Sequence, residues 1–176
     1  DFYCALKVSV HMFEADSTNL PRAAQLTQRT NQFNTTTRRY SEQQLLDLLT
    51  SDDWKVLLIE ASDRFGDNGI VGLALLEFDK EHVRIDSLLM SCRVIGRTIE
   101  TAFLSGIVAL SKNGACRTLS AEYRPTAKNQ PVKNLYRDHG FDLECQREGD
   151  VSIWTLDLTV KGIECPAWIC FENEAQ

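Results

Sequence analysis

The sequence predicts a mixed α/β fold of the α+β class, a central and mostly antiparallel mixed sheet flanked by helices. Three observations carry this. The periodic segments run strand, helix, helix, three strands, helix, strand, helix, two strands, which is not the regular alternation of a doubly wound parallel sheet. Two of the strand runs are joined by a short segment ending in turn residues, so they pair antiparallel. With 176 residues, 43% of them hydrophobic, the chain can bury one core and is short for two.

Phe2 to Val10 reads as an opening strand, with Tyr3, Ala5, Val8 and Val10 set among polar residues. A helix follows, with Asn19 as its cap and Pro21 in its first turn. Arg29 to Tyr40 is rich in Thr and Asn and poor in helix formers, hence a long loop, and a long loop inside a compact domain is more often functional than idle. Ser41 with Gln44 has capping-box spacing, and Leu45, Leu46, Leu48 and Leu49 supply the buried stripe of the second helix. Trp54 to Ser62 and Gly69 to Phe78 are the antiparallel strands, and His82 to Met90 is the next. Helical spacing resumes from Ile99 to Leu110 and stops at Asn113-Gly114. Thr118 to Tyr123 is a short strand, Pro131 and Gly140 bracket a last short helix, and Phe141 to Cys145 pairs with Val151 to Leu158. Residues 1–158 are expected to form the domain and 159–176 a tail docked on it, with Trp168 and Ile169 as the docking residues.

A formal net charge of -6 argues against nucleic acid, which needs a dominant basic surface, though a local basic site remains compatible. No apolar run approaches bilayer length and the start lacks the basic and apolar regions of a signal peptide, so neither a membrane span nor secretion is expected. The six cysteines show no zinc spacing; reduced thiols in a cytoplasm are the expectation, with a Cys165–Cys170 tail disulfide as the alternative. The absence of an initiator Met suggests a piece of a longer protein or a processed chain.

The segment Ser91 to Thr98 carries the chemistry. It joins a strand directly to a helix, an arrangement that aims unpaired N–H groups and the positive end of a helix dipole at a phosphate. Arg93 and Arg97 add cationic forks, Gly96 a permissive backbone, and Thr98 a β-carbon that narrows the approach. Cys92, beside Arg93 and near Arg97, reads either as an activated nucleophile able to carry an acyl group or as a small buried hydrophobe. Arg29, Arg38, Arg39 and Arg64 are placed to meet an acidic partner or a substrate phosphate.

The string Arg93-Val94-Ile95-Gly96-Arg97-Thr98, followed by Asn129 or Asn134, then Tyr136 and Gly140-Phe141, resembles the signatures of the Gcn5-related N-acetyltransferases, the GNAT family. Three longer strings, Leu20 to Asn34, Asp63 to Gly69 and Leu89 to Arg97, resemble the C-terminal part of FkbH-like proteins. The resemblance implies a GNAT-like acyltransferase fold that binds acetyl-CoA, CoA or the phosphopantetheine arm of an acyl carrier protein. It implies that Leu88, Leu89 and Met90 pair with the arm, that Val94, Ile95 and their neighbours hold its phosphates, and that Asn129 or Asn134 bonds it. Tyr136 takes the place of the general acid that protonates a departing thiolate; packing beside Leu135 explains the same residue without catalysis. It further implies a glyceryl or acyl loading system of polyketide type, with a HAD-like domain upstream or in trans; no HAD motif occurs in this chain. A docking module without catalysis is the alternative.

Overall fold

The structure is a computed structural model that describes residues 2–175. The chain starts as a short helix, α1 (Phe2–Leu6), and only then enters β1 (Val8–Glu14). This corrects the expectation of a strand over Phe2 to Val10. Lys7 breaks the backbone at φ 51, which lets Leu6 drop into the core and offer its carbonyl to the Arg64 amide at 2.9 Å.

Two helices follow, α2 (Leu20–Arg29) and α3 (Glu42–Leu49). The capping box at the start of α3 is formed as expected: the Gln44 amide donates to Ser41 Oγ at 3.1 Å and the Ser41 amide donates to Gln44 Oε1 at 2.9 Å. Asn19 precedes α2 but makes no side-chain cap; its Oδ1 accepts from the Asp16 amide instead. The strands β2 (Trp54–Asp63), β3 (Gly66–Asp79) and β4 (His82–Met90) form an antiparallel meander. The helix α4 (Ile99–Asn113) leads to β5 (Thr118–Tyr123), the one-turn helix α5 (Leu135–Asp138), then β6 (Asp142–Arg147) and β7 (Val151–Asp157). The tail holds a further strand, β8 (Ile169–Asn173).

All eight strands form one sheet in the order β6-β7-β5-β4-β3-β2-β1-β8. Only β4–β5 and β1–β8 are parallel. On one face, α4 buries Phe103 and Ile107 in the larger core; on the other, α2 and α3 bury Leu26 and Leu45 with Leu89 of β4 in a second core. The tail lies against the α4 side. A Cβ on Gly106 would sit 2.7 Å from the Phe171 ring and 2.8 Å from Met12, so the bare glycine is what lets α4 approach β1 and β8.

Two irregularities position the site. Leu75 pairs with Ser87 but Leu76 with Ile85, so Asp86 is an extra residue that bulges out of β4. The β4–β5 ladder ends at the pair Ile85–Ala121, beside that bulge. Beyond it the two strands have no pairing with each other, and the edge of β4 from Ser87 to Met90 faces a gap.

Candidate functional site

The gap between the ends of β4 and β5 is filled by the chain itself. Residues 33–36, in the loop between α2 and α3, run antiparallel to β4 as a strap. The Met90 amide donates to the Phe33 carbonyl at 2.9 Å and the Thr35 amide to the Leu88 carbonyl at 3.1 Å. The Leu88 amide donates to Thr35 Oγ1 at 3.1 Å. On the β5 side, the Arg124 amide donates to the Thr35 carbonyl at 2.8 Å. Asn34 and Thr35 are fully buried.

This placement bears directly on the residues singled out in the sequence. The main-chain groups of Leu88 and Met90 that a bound arm would pair with are taken by Phe33 and Thr35. Leu89 pairs with β3 and sends its side chain into the second core. Asn129 is wholly buried and serves the strap: its Nδ2 donates to the carbonyls of Asn34 at 2.9 Å and Arg124 at 2.8 Å, while its Oδ1 accepts from the Thr126 amide at 2.7 Å. A side chain with both ends satisfied inside the protein is a structural clamp. Asn134 is exposed and makes no cap.

Tyr136 is 1% exposed and tilts against Phe141, with ring centroids 5.1 Å apart. Burial holds its pKa well above the usual phenol value; Thr35 acts in the opposite sense, and the charges of Glu122 and Asp86 add to the rise. Its hydroxyl makes no hydrogen bond of ordinary geometry.

The loop after β4 is also largely self-satisfied. Cys92–Val94 form a turn of 3₁₀ helix, and the amides of Val94, Ile95 and Arg97 donate to the carbonyls of Ser91, Cys92 and Val94. Those three N–H groups therefore do not point at an anion, because the chain tightens into i→i+3 turns before α4 begins. Gly96 and Thr98 take left-handed backbone at φ 81 and 61. The Thr98 hydroxyl accepts from Trp168 Nε1 at 2.9 Å, so the tail covers the start of α4. Arg97 is ion-paired with the buried carboxylate of Asp63. Arg93 points elsewhere, reaching Ser91 Oγ at 3.3 Å and the Asn68 carbonyl at 3.4 Å. Cys92 is exposed, which corrects the buried-hydrophobe alternative; none of the six thiols is in a disulfide.

The group that sequence reading missed is a buried ionic network behind the strap. Asp86 and Glu122, 4% and 6% exposed, are bridged by Arg38, whose Nη1 lies 3.0 Å from Asp86 Oδ1 and whose Nη2 lies 3.1 Å from Glu122 Oε2. Arg84 adds a bond to Asp86 at 3.1 Å, Arg124 pairs with Glu122, and the Tyr40 hydroxyl donates to Asp86 Oδ2 at 2.5 Å. The bulge turns Asp86 toward these partners, a register detail with no signature in composition. Thr36 and Ser87 join their hydroxyls at 2.7 Å, coupling strap to network. Arg39 caps the end of α2, donating to the Thr30 carbonyl at 2.6 Å and to the Thr27 carbonyl.

Among the described residues no cluster of His, Cys, Asp and Glu could hold a metal ion, and no helix is long and apolar enough to cross a membrane.

No protein-family model matches the sequence, and no curated protein matches it. Solved structures do. The ribosomal-protein-S18-alanine N-acetyltransferase from Escherichia coli is 15% identical, with a TM-score of 0.65 over 89% of this chain and 99% of that one. Spermidine N-acetyltransferase from Vibrio cholerae, solved in complex with CoA and spermine, is 13% identical, with a TM-score of 0.66 over 85% and 96%. An acetyltransferase of the GNAT family from Streptococcus pneumoniae is 18% identical, with a TM-score of 0.63 over 84% and 98%. The chain has the GNAT acetyltransferase fold.

Proposed function

On the premise of a GNAT-like domain, we propose that this chain serves an acyl-loading system of FkbH-like type as a docking module for an acyl carrier protein, presenting the carrier's phosphopantetheine thioester to a HAD-like partner domain. The strap carries this reading. With residues 33–36 hydrogen-bonded along β4 and clamped by Asn129, a thin thioester chain has no edge to pair with, and turnover of a free acyl-CoA in that gap is blocked. Support for the partner comes from the three long strings similar to FkbH-like proteins. The test is titration with a phosphopantetheine-bearing acyl carrier protein, alongside an assay of acyl transfer from acetyl-CoA. Docking predicts salt-sensitive carrier binding that persists in Tyr136→Phe, and no transfer.

One observation favours a second reading, an acyltransferase that works once the strap leaves. The Tyr136 hydroxyl is wholly buried beside Thr35 of the strap, and strap release would bring it to the edge of the opened gap as a proton donor for a thiolate. Transfer from acetyl-CoA that is lost in Tyr136→Phe would establish this reading and remove the first.

A further inference from the structure

A concave feature with a distinctive lining lies beside the strap rather than beneath it. A cavity of about 620 Å³ opens between α2, residues 30–33 and the end of β4, on the side of the sheet that α2 covers. Three guanidinium groups line it: Arg22 and Arg29 from one side of α2, and Arg93 from the loop after β4. In a chain with 25 acidic and 19 basic residues, the wall contains no Asp or Glu. Among the described residues, no ion pair joins any of the three to a carboxylate.

Neighbouring cations without counter-ions repel one another, and a concave wall focuses their field, so the arrangement favours an anion. The charges do sense one another. Burial, and then the charges of Arg93 and Arg29, weaken the hold of Arg22 on its proton. Arg22 is fixed in place, donating to the Ile70 carbonyl at 3.0 Å and to Gln25 Oε1 at 2.5 Å, while Arg29 makes no hydrogen bond within the described residues and is free to close on a ligand. A single carboxylate leaves much of this charge uncompensated. A phosphate monoester offers three acceptor oxygens and up to two charges, which suits a triad of forked donors. The cavity is several times the size of a phosphate group, and Leu26 and Phe33 give it an apolar side for a small organic body.

We infer that this cavity binds a small organic phosphate monoester, with Arg22 as its fixed ligand, Arg29 as its mobile one, and Arg93 exchanging its long bonds to Ser91 and Asn68 for the phosphate. The inference stands apart from carrier docking, since phosphate binding and carrier binding can each fail alone.

Calorimetric titration of the full chain with phenyl phosphate, 4′-phosphopantetheine, pantetheine and benzoate tests it. Both phosphate probes should bind, and Arg29→Ala and Arg93→Ala should each weaken them about tenfold or more, since each removes a charge-assisted bond. Arg29→Lys should recover part of the loss. Arg29 and Arg93 are exposed, so both variants should keep the parent melting temperature. Pantetheine and benzoate should bind at least about tenfold more weakly than their phosphate counterparts. Tighter binding of 4′-phosphopantetheine than of phenyl phosphate would assign the organic body to an extended pantetheine-like chain; the reverse would assign it to a compact ring-sized one. The inference fails if neither phosphate probe binds at millimolar concentration, if binding is unchanged in both alanine variants, or if benzoate matches phenyl phosphate.

Discussion

The gap between β4 and β5 and the cavity beside α2 share one wall, the strap, yet they are opposites in physical character. In the gap the amide and carbonyl of Leu88 and the amide of Met90 find partners in Phe33 or Thr35, and the charges behind it are paired through Arg38. In the cavity three guanidiniums share a wall that holds no carboxylate. A fold that elsewhere supports acetyl transfer thus has its strand gap closed from within, while unspent positive charge sits on the other side of the closing segment. What a GNAT fold binds is decided by which of its concavities the chain leaves unfilled, not by the sheet itself.

The contrast can be broken most forcefully at Arg38. Arg38→Ala removes the cation shared by Asp86 and Glu122, each of which keeps one further guanidinium, and should destabilise the protein by about 2–4 kcal/mol in denaturant unfolding while exposing the strap to proteolysis. Next is Asn129→Ala, which strands the Asn34 and Arg124 carbonyls and the Thr126 amide; a loss of about 2–4 kcal/mol is expected, with faster hydrogen exchange at the Thr35 amide. Thr35→Val keeps the shape and removes the acceptor for the Leu88 amide together with the hydroxyl beside Tyr136, so about 1–3 kcal/mol should be lost; a neutral result would mean that the strap is not held through that hydroxyl.

Smaller effects sharpen the contrast between the two arginines of the loop. Arg97 is engaged with Asp63, so Arg97→Ala should leave phenyl phosphate affinity unchanged where Arg93→Ala weakens it. The Phe65 amide, and then against burial the Arg97 guanidinium, hold the Asp63 carboxyl below its ordinary value. A carboxyl lowered in the folded state contributes stability that is complete above its unfolded pKa of about 4 and is lost as pH falls through the folded value. Unfolding midpoints measured from pH 6 downward should therefore fall less steeply below about pH 4 in Asp63→Asn than in the parent. The smallest effect is expected from Ser41→Ala, which removes the α3 cap and does not line the cavity; about 1 kcal/mol should be lost with no change in phosphate affinity.

Much of the secondary structure was legible because local signals agreed with one another. His82 to Met90 and Thr118 to Tyr123 were read to the residue, and the Ser41–Gln44 box formed as its spacing demanded. The strand predicted at the start failed because Lys7 can take left-handed backbone and Leu6 gains more by burial than by extension. The strand in the tail was missed because Ile169–Asn173 has no alternation of its own; its pairing with β1 supplies the order.

For the site, the sequence marked the right neighbourhood and misjudged its wiring. Arg93, Cys92, Asn129 and Tyr136 all lie around the strap or the cavity, but Asn129 clamps, Tyr136 is sealed in, and Arg22 went unnoticed as the middle member of a charge triad. The sequence by itself determined the strand and helix periods, the hairpin, the cap and the presence of a long polar loop, since each depends on neighbours within a few residues. Only the tertiary structure decided that this loop would occupy the gap in the sheet. Its hold there is made largely by main-chain donors and acceptors, which every residue carries and no side-chain pattern announces.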